Sequence, residues 1–537
     1  MSDEILLFAS GDLRESANMA CWPAQKEMED RLVAALRREG RDLRRAHAFR
    51  PERGHGFLAS QREGMQAFAG IDPTAPVIVA EAVWQYSHHV LPGLIHHRGP
   101  ILTVANWSGQ WPGLVGVLNL NGSLTKAGVP YATLWSETFE DAPFLDGLRS
   151  WLATGEVKHD ESHVSPFDPA GSSIDVRNTA RRIATGLKRD KVILGVFDEG
   201  CMGMYNAIVP DELMAPMGFF KERLSQSALY YETLQVADAD AEAVLGWLRS
   251  KGMTFEFGTD PDTELTEAQV LLQCKMYIAA ARMADDFGCD AIGIQYQQGL
   301  KDLLPASDLA EGLLNNADRP DAPDRHGTPI RPGRAIAHFN EADECAGIDA
   351  VLTHHVHEAL GQPVETTLHD LRWADADRSG RVEDCVWVLE ISGASPPAHH
   401  EGGWAGTDSV RQPPMYFRLG GGTVRGVAKA GSLVWSRVYV AEGRLKMDIG
   451  LGRAIDLPKE ETQRRSEATT PQWPIMHAVF EGTSRDQMMA RHKANHVQVA
   501  YARSHDDALT AAQTKACLAV ELGLEVHWCG SAGIANA

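Results

Sequence analysis

The chain has 537 residues, and Lys+Arg 51 against Asp+Glu 72 gives a formal net charge of −21 at pH 7. This length exceeds what one hydrophobic core usually supports and indicates two or three domains. The acidic balance argues against a nucleic-acid-binding or membrane-binding surface, since both reward clustered positive charge. We find neither a signal-peptide pattern nor an apolar stretch of transmembrane length, and therefore expect a cytoplasmic protein.

Residues 1–170 alternate short apolar runs with helical patterns. Ile5–Ser10, Ala75–Ala82 and Ile101–Ala105 are three of these runs, and Gly or Pro residues bound them. Alternating strands and helices predict a doubly wound α/β domain with mainly parallel strands. A polar stretch at His159–Ser173 is predicted to be a linker.

The same alternation begins again in residues 171–361. A helical pattern at Val176–Leu187 precedes an apolar run at Lys191–Phe197. Two further strands are predicted at Ala291–Gln295 and Arg334–Asn340. This segment is predicted to form a second doubly wound α/β domain.

Residues 362–537 have a different pattern. Short β-rich runs at Val386–Ile391, Met415–Arg418 and Val434–Val440 are separated by Gly and Pro turns. Such spacing predicts an antiparallel sheet or barrel. The predicted architecture is therefore two α/β domains followed by a β-rich, barrel-like domain.

Three potential metal ligands stand at the edges of predicted strands in the C-terminal half. They are Glu341, Asp370 and His496. Two carboxylates and one imidazole form an oxygen-rich set that suits Mn²⁺ or Mg²⁺ better than a closed zinc site. Residue types alone leave the alternatives open, namely a surface Glu at a helix start, an Asp that caps a turn and a buried neutral His.

Short motifs follow one another in a fixed order along nearly the whole chain. They are Gly11-Asp12-Leu13-Arg14-Glu15-Ser16, Trp84-Gln85-Tyr86, Gly109-Gln110-Trp111-Pro112-Gly113, Gly293-Ile294-Gln295-Tyr296-Gln297, Glu341-Ala342-Asp343, Asp370-Leu371-Arg372, Ser392-Gly393, Trp473-Pro474 and Ala494-Asn495-His496. Each motif is weak by itself. In this order, together, they resemble the L-fucose isomerase superfamily, which is related to the L-arabinose isomerases, and the chain is a divergent member by this resemblance.

The resemblance implies a fold, a metal and its ligands. The family has two α/β domains and a β-rich C-terminal domain. Its Mn²⁺ is bound by a Glu, an Asp and a His, which correspond to Glu341, Asp370 and His496, with Mg²⁺ or Co²⁺ as alternative ions. Glu341 and Asp370 are the implied catalytic acid and base. The spacing to Gly361 also allows Glu344 in place of Glu341; we prefer Glu341 because it directly follows a predicted strand.

The resemblance also implies a sugar site and an assembly. The implied substrate-binding residues are Arg14, Trp84, Gln295, Gln297, Ser392, Trp473 and Asn495. In the family, the residues that match Arg14 and Trp84 reach a neighbouring subunit's site, so a homo-oligomer, a hexamer or trimer, is implied.

The implied activity is metal-dependent aldose–ketose isomerisation of a free sugar such as L-fucose or D-arabinose through an enediolate. Such an enzyme belongs to carbohydrate metabolism. Two alternatives remain open: lyase or epimerase chemistry on a related sugar, and a sugar-binding relative without catalysis.

Overall fold

The computed structural model describes residues 4–106, 110–383 and 385–531. Gly109, which opens the third motif, lies outside the described residues. The described chain is a mixed α/β structure with a strand-rich C-terminal region, which confirms the predicted fold class.

The N-terminal segment forms a parallel sheet with the strand order β2-β1-β3-β4-β5. Its strands and helices are β1 (Glu4–Phe8), α1 (Glu15–Arg38), β2 (Asp42–Arg45), α2 (Gln61–Ala69), β3 (Val77–Glu81), α3 (Ser87–His96), β4 (Ile101–Asn106), α4 (Gly113–Ala127), β5 (Ala132–Ser136) and α5 (Ala142–Thr154). Every residue of β3 is buried, as expected for a central strand covered by helices on both faces.

The middle segment forms a second parallel sheet with the strand order β11-β10-β7-β8. Its elements are β6 (Val164–Pro166), α6 (Ile174–Asp190), β7 (Val192–Phe197), α7 (Asp211–Met214), β8 (Phe219–Leu224), α8 (Gln226–Gln235), α9 (Asp238–Ser250), β9 (Thr254–Phe255), α10 (Glu267–Asp286), β10 (Ala291–Ile294), α11 (Asp308–Leu314), β11 (Ala337–His338) and α12 (Glu344–Leu360). Of these strands, β6 and β9 pair outside this sheet.

The C-terminal segment closes into an antiparallel barrel. Its elements are β12 (Thr366–Ala376), β13 (Cys385–Glu390), β14 (Asp408–Ser409), β15 (Gly431–Ala441), β16 (Arg444–Ala454), α13 (Lys459–Glu467), β17 (Ile475–Phe480), α14 (Arg485–Arg491), β18 (His496–Ala502), α15 (His505–Leu522) and β19 (Glu525–Cys529). The order β15-β18-β12-β13-β17-β16 returns to β15 through the β15–β16 pairing. Closure removes the free strand edges within this ring.

Three local predictions were wrong. The predicted linker at His159–Ser173 contains β6, which pairs with β19 and extends the barrel sheet. The predicted β run at Met415–Arg418 is a turn region, and two of its side chains, Tyr416 and Phe417, line a cavity. The predicted strand at Arg334–Asn340 is reduced to the two residues of β11.

The loops after the parallel strands converge on one end of the barrel. Arg14 follows β1, Trp84 follows β3, and Gln295 and Gln297 follow β10. Ligands of open α/β sheets bind outside the carboxyl ends of the strands, so these loops are where a site is expected. Within the described residues, no helix has the length and apolar character needed to cross a bilayer.

A buried ion pair joins the middle segment to the barrel. Lys515 of α15 contacts Asp349 of α12, and its Nζ also donates to Thr353 Oγ1 at 2.6 Å and to Ser436 Oγ at 2.7 Å. The Lys515 and Asp349 side chains are 2% and 0% exposed. The two charges therefore compensate each other away from water.

We expect Lys515→Met to destabilise the protein by about 3–5 kcal/mol, because it leaves the Asp349 carboxylate buried without its cation. Lys251→Met is the control, since Lys251 and Asp318 form a largely exposed pair that contributes at most about 1 kcal/mol. Thermal unfolding measures both. Equal shifts in Tm would contradict the assigned role of the buried pair.

Candidate active site

Asp370 and His496 face each other on neighbouring antiparallel strands. The register of β12 and β18 places them directly opposite, and His496 Nε2 lies 3.4 Å from Asp370 Oδ1. Asp370 therefore lies inside β12, whereas the sequence analysis places it at the edge of a strand. A register irregularity between Leu371 and Trp373 follows at once, and bulges of this kind re-aim side chains beside active sites.

Glu341 approaches His496 from the end of β11, in the parallel sheet of the middle segment. It follows β11 in a left-handed conformation with φ 59°, and Ala342 follows with φ 51°. Its Oε2 lies 3.5 Å from His496 Nε2. Two consecutive non-glycine residues in this region are strained, and such strain is often kept where a side chain must point in a functional direction.

Glu344, the alternative to Glu341, points elsewhere. Its Oε2 lies 2.8 Å from Lys221 Nζ and accepts the backbone N–H of Val209 at 2.7 Å. The structure thus brings Glu341, rather than Glu344, to Asp370 and His496. The metal-ligand role of all these residues stays a prediction.

The pKa values of His496 and Asp370 are both shifted by burial and by neighbouring charges. Burial would lower the pKa of His496, but the carboxylates of Asp343, Glu341 and Asp370 outweigh it and raise that pKa to about 10. Burial raises the pKa of Asp370 to about 6, against the opposing effect of the nearby imidazole.

The ligand types of Glu341, Asp370 and His496 suit a hard divalent cation. Oxygen ligands with one imidazole suit Mn²⁺ or Mg²⁺, and ligand atoms around an octahedral ion with bonds of ~2.1 Å stand ~3 Å apart. The separations of 3.4 and 3.5 Å from His496 Nε2 are slightly longer than this. Across the described ranges, no group of three or more His, Cys, Asp or Glu side chains forms a ready metal cluster, so a small contraction of these side chains would be required.

A cavity opens beside Asp370 and Glu341, and most of the predicted sugar-binding residues line it. Its lining comprises Arg14, Trp84, Pro112, Met202, Gln297, Glu341, Asp370, Arg372, Ser392, Tyr416, Phe417 and Trp473. The space for water is about 40 Å³, enough for a few molecules. Trp473 also lines an open groove of about 620 Å³, so this indole lies between the cavity and that groove.

Arg14 and Trp84 line the cavity of their own chain. Arg14 Nη1 donates to the Tyr416 backbone oxygen at 3.3 Å, and its guanidinium lies 4.8 Å from the Tyr416 ring centroid. The implied reach of these two residues into a neighbouring subunit's site stays a prediction. The oligomeric state itself stays a prediction.

Several buried polar atoms at the site have no hydrogen-bond partner among the described residues. They are Trp84 Nε1, Gln295 Nε2, Gln297 Oε1 and Asn495 Oδ1. Asn495 Nδ2 donates to Asp370 Oδ1 at 3.3 Å. Because buried polar groups are normally paired, these four atoms are available to water or to a polar ligand.

Sequence reasoning missed Pro112, Met202, Arg372, Tyr416 and Phe417 as lining residues. Pro112 and Arg372 stood inside quoted motifs, and Arg372 follows Asp370 by two positions on one strand, a spacing that places alternate side chains on one face. The turn that carries Tyr416 has no periodic pattern. Its place at the cavity depends on contacts with the distant N-terminal segment.

The strained backbone at Ala342 can be tested by a pair of glycine substitutions. Ala342→Gly and Ala346→Gly each remove a buried methyl, but Ala342 is left-handed whereas Ala346 is in the first turn of α12. Glycine relieves strain in the first case and costs about 1 kcal/mol in the second. We expect Ala342→Gly to be less destabilising by about 1–2 kcal/mol in thermal unfolding; equal losses would mean that Ala342 stores no strain.

Comparison with known proteins bears on the C-terminal segment. No curated protein matches the chain significantly. The family model described as L-fucose isomerase, C-terminal domain, matches residues 408–521, a span that contains Trp473 and His496. This match supports membership of the chain in the L-fucose isomerase superfamily.

Proposed function

We propose that the protein is a metal-dependent aldose–ketose isomerase that acts on a free sugar resembling L-fucose or D-arabinose. The observation that carries the proposal is the meeting of Glu341 and Asp370 at His496 Nε2, beside a polar cavity. The family match supports a sugar-isomerase relative. The ion, the substrate and the catalytic roles are proposals.

Glu341, Asp370 and His496 would hold the divalent ion, with Mn²⁺ as the first choice. When bound, such an ion supplies Lewis-acid polarisation of a carbonyl oxygen. The residues fit because two are hard anionic ligands and the third has one ring nitrogen held by Asp343, which leaves Nε2 facing the carboxylates.

The carboxylates would move the protons. One carboxylate of the pair takes the carbon-bound proton from the carbon beside the carbonyl and returns it to the former carbonyl carbon, through an enediolate. The other exchanges the hydroxyl proton between the two oxygens. Positioned acid–base groups of this kind contribute about 10²–10⁴-fold in rate.

Residues of the cavity would orient an open-chain sugar together with two neighbours outside its lining, Gln295 beside Gln297 and Asn495 beside Asp370. Trp84 Nε1–H and Gln295 Nε2–H₂ can donate to hydroxyl oxygens, whereas Gln297 Oε1 and Asn495 Oδ1 can accept from hydroxyl groups. Trp473 and Ser392 line the cavity. The Trp473 indole is held in place by donation from its Nε1–H to Gln412 Oε1 at 2.8 Å.

The first test is an assay of purified protein with Mn²⁺ on a panel of aldoses that includes L-fucose and D-arabinose. We expect ketose formation that EDTA abolishes and Mn²⁺ restores. NMR of products in D₂O separates isomerisation from epimerisation or lyase cleavage. Absence of turnover on the whole panel, together with no effect of EDTA on Tm, would overturn the proposal; sugar binding without metal would support a non-catalytic relative.

Three isosteric variants test the assignment of the carboxylates. We expect Glu341→Gln and Asp370→Asn to lose at least ~100-fold in kcat and to bind Mn²⁺ more weakly. Glu344→Gln is the matched control, because it makes the same change three residues away on a side chain that pairs with Lys221. It should keep Mn²⁺ affinity, as measured by calorimetry; the reverse pattern would assign the ligand to Glu344.

Complementation between chains tests whether each site is formed by one chain. Arg14→Ala and Asp370→Asn are each expected to be inactive. Because Arg14 and Asp370 line the same cavity within one chain, mixed assemblies of the two variants should contain no intact site and show no activity. Wild type mixed with Asp370→Asn is the control, and recovery of activity in the double-variant mixture would mean that sites are shared between subunits.

A further inference from the structure

Asp343 is a buried carboxylate with contacts in three directions. Its Oδ1 accepts the backbone N–H of Ala346 at 3.0 Å and so caps α12. Its Oδ2 accepts from Arg437 Nη1 at 2.6 Å and lies 2.8 Å from His496 Nδ1. The Asp343 side chain is fully buried, and these contacts use both of its oxygens.

The contact with His496 determines which ring nitrogen is available. A carboxylate only accepts hydrogen bonds, so Nδ1 must carry the proton that it shares with Asp343. Nε2 is then the nitrogen that faces Glu341 and Asp370. Carboxylates that hold the second nitrogen of a metal-binding His fix its tautomer and its ring orientation.

Arg437 makes this arrangement possible from the barrel side. It extends from β15, is 1% exposed, and its guanidinium neutralises the buried Asp343 carboxylate. A buried carboxylate without a cation would be costly. The barrel, the start of α12 and the His496 ring are therefore joined through one side chain.

We infer that Asp343 is a positioning residue, held by Arg437, that keeps His496 Nε2 as the metal-binding nitrogen. This inference rests on the proposed metal-dependent function. Asp343 itself would neither bind the ion nor exchange protons with the substrate. Its contribution would appear in the affinity of the protein for the metal, before any turnover.

Asp343→Asn tests the inference with little change in shape. An amide either presents its NH₂ group to Nδ1, which favours the tautomer with the proton on Nε2, or turns its NH₂ group to Ala346 and loses the helix cap. We expect Mn²⁺ affinity to fall about 10–100-fold. Calorimetric titration of metal-free protein measures this directly, without an activity assay.

Asp349→Asn is the matched control. It makes the same chemical change at another buried carboxylate of α12, whose contacts are with Lys515, Ser436 and Val438. It should lower Tm but leave Mn²⁺ affinity within about twofold of wild type, because ligand orientation is unchanged. Equal losses of affinity in the two variants would overturn the inference in favour of a general loss of stability.

Two further measurements keep the inference testable if Asp343→Asn does not fold. Arg437→Lys keeps the cation but with a single ammonium group that cannot reproduce the guanidinium contact, so Mn²⁺ affinity should fall below that of wild type; an unchanged affinity would remove Arg437 from the inference. In ¹⁵N-histidine NMR of wild type with Mg²⁺, we expect a protonated Nδ1 and an unprotonated Nε2 for His496. The opposite tautomer would overturn the role of Asp343, whereas absence of metal binding by wild type would instead overturn the proposed function.

Discussion

The direct pairing of Asp370 with His496 across β12 and β18 is the contact on which the candidate site depends. Side chains alternate between the two faces of a strand, so a slip of one residue would turn one of this pair away from the other. The closed ring of barrel strands opposes such a slip, because every strand in it is hydrogen-bonded on both sides. Glu341 can then join the pair only if α12 begins at the right place, and the Asp343 cap determines where it begins.

Buried ion pairs surround the site. Three guanidinium–carboxylate pairs lie close to the cavity: Arg14–Asp12 at 2.6 Å, Arg437–Asp343 at 2.6 Å and Arg372–Glu390 at 3.7 Å. Pairs of this kind contribute little to net stability relative to apolar packing. Their role here is geometric. Because each pair is fixed by packing and hydrogen bonds, it holds the functional side chains beside it in one orientation. The strained backbone at Glu341 has a similar explanation, since the surrounding contacts compensate for an unfavourable conformation.

The α/β segments and the barrel contribute different parts of the site. The two parallel sheets present the carboxyl ends of their strands, and the loops there carry Arg14, Trp84, Gln297 and Glu341. The barrel contributes the cross-strand pair and the turn with Tyr416. Four of the buried polar atoms that lack partners among the described residues belong to these segments, on Trp84, Gln295, Gln297 and Asn495. A site assembled from three segments has its residues far apart in sequence.

Much of the framework follows from the sequence itself. Apolar runs bounded by Gly or Pro predicted β1, β3, β4, β7 and β10 within a few residues, because a central parallel strand is buried on both faces and its sequence shows this directly. Ordered motifs also identified Glu341, Asp370 and His496 as a group.

The sequence could not decide between Glu341 and Glu344, because they differ by one helical turn; the contact of Glu344 with Lys221 separates them in space. It could not show that Val164–Pro166 extends the barrel sheet or that Tyr416 lines the cavity. Local composition determines which segments become strands and helices, whereas contacts between residues hundreds of positions apart arise only when those elements pack, and the site consists of such contacts.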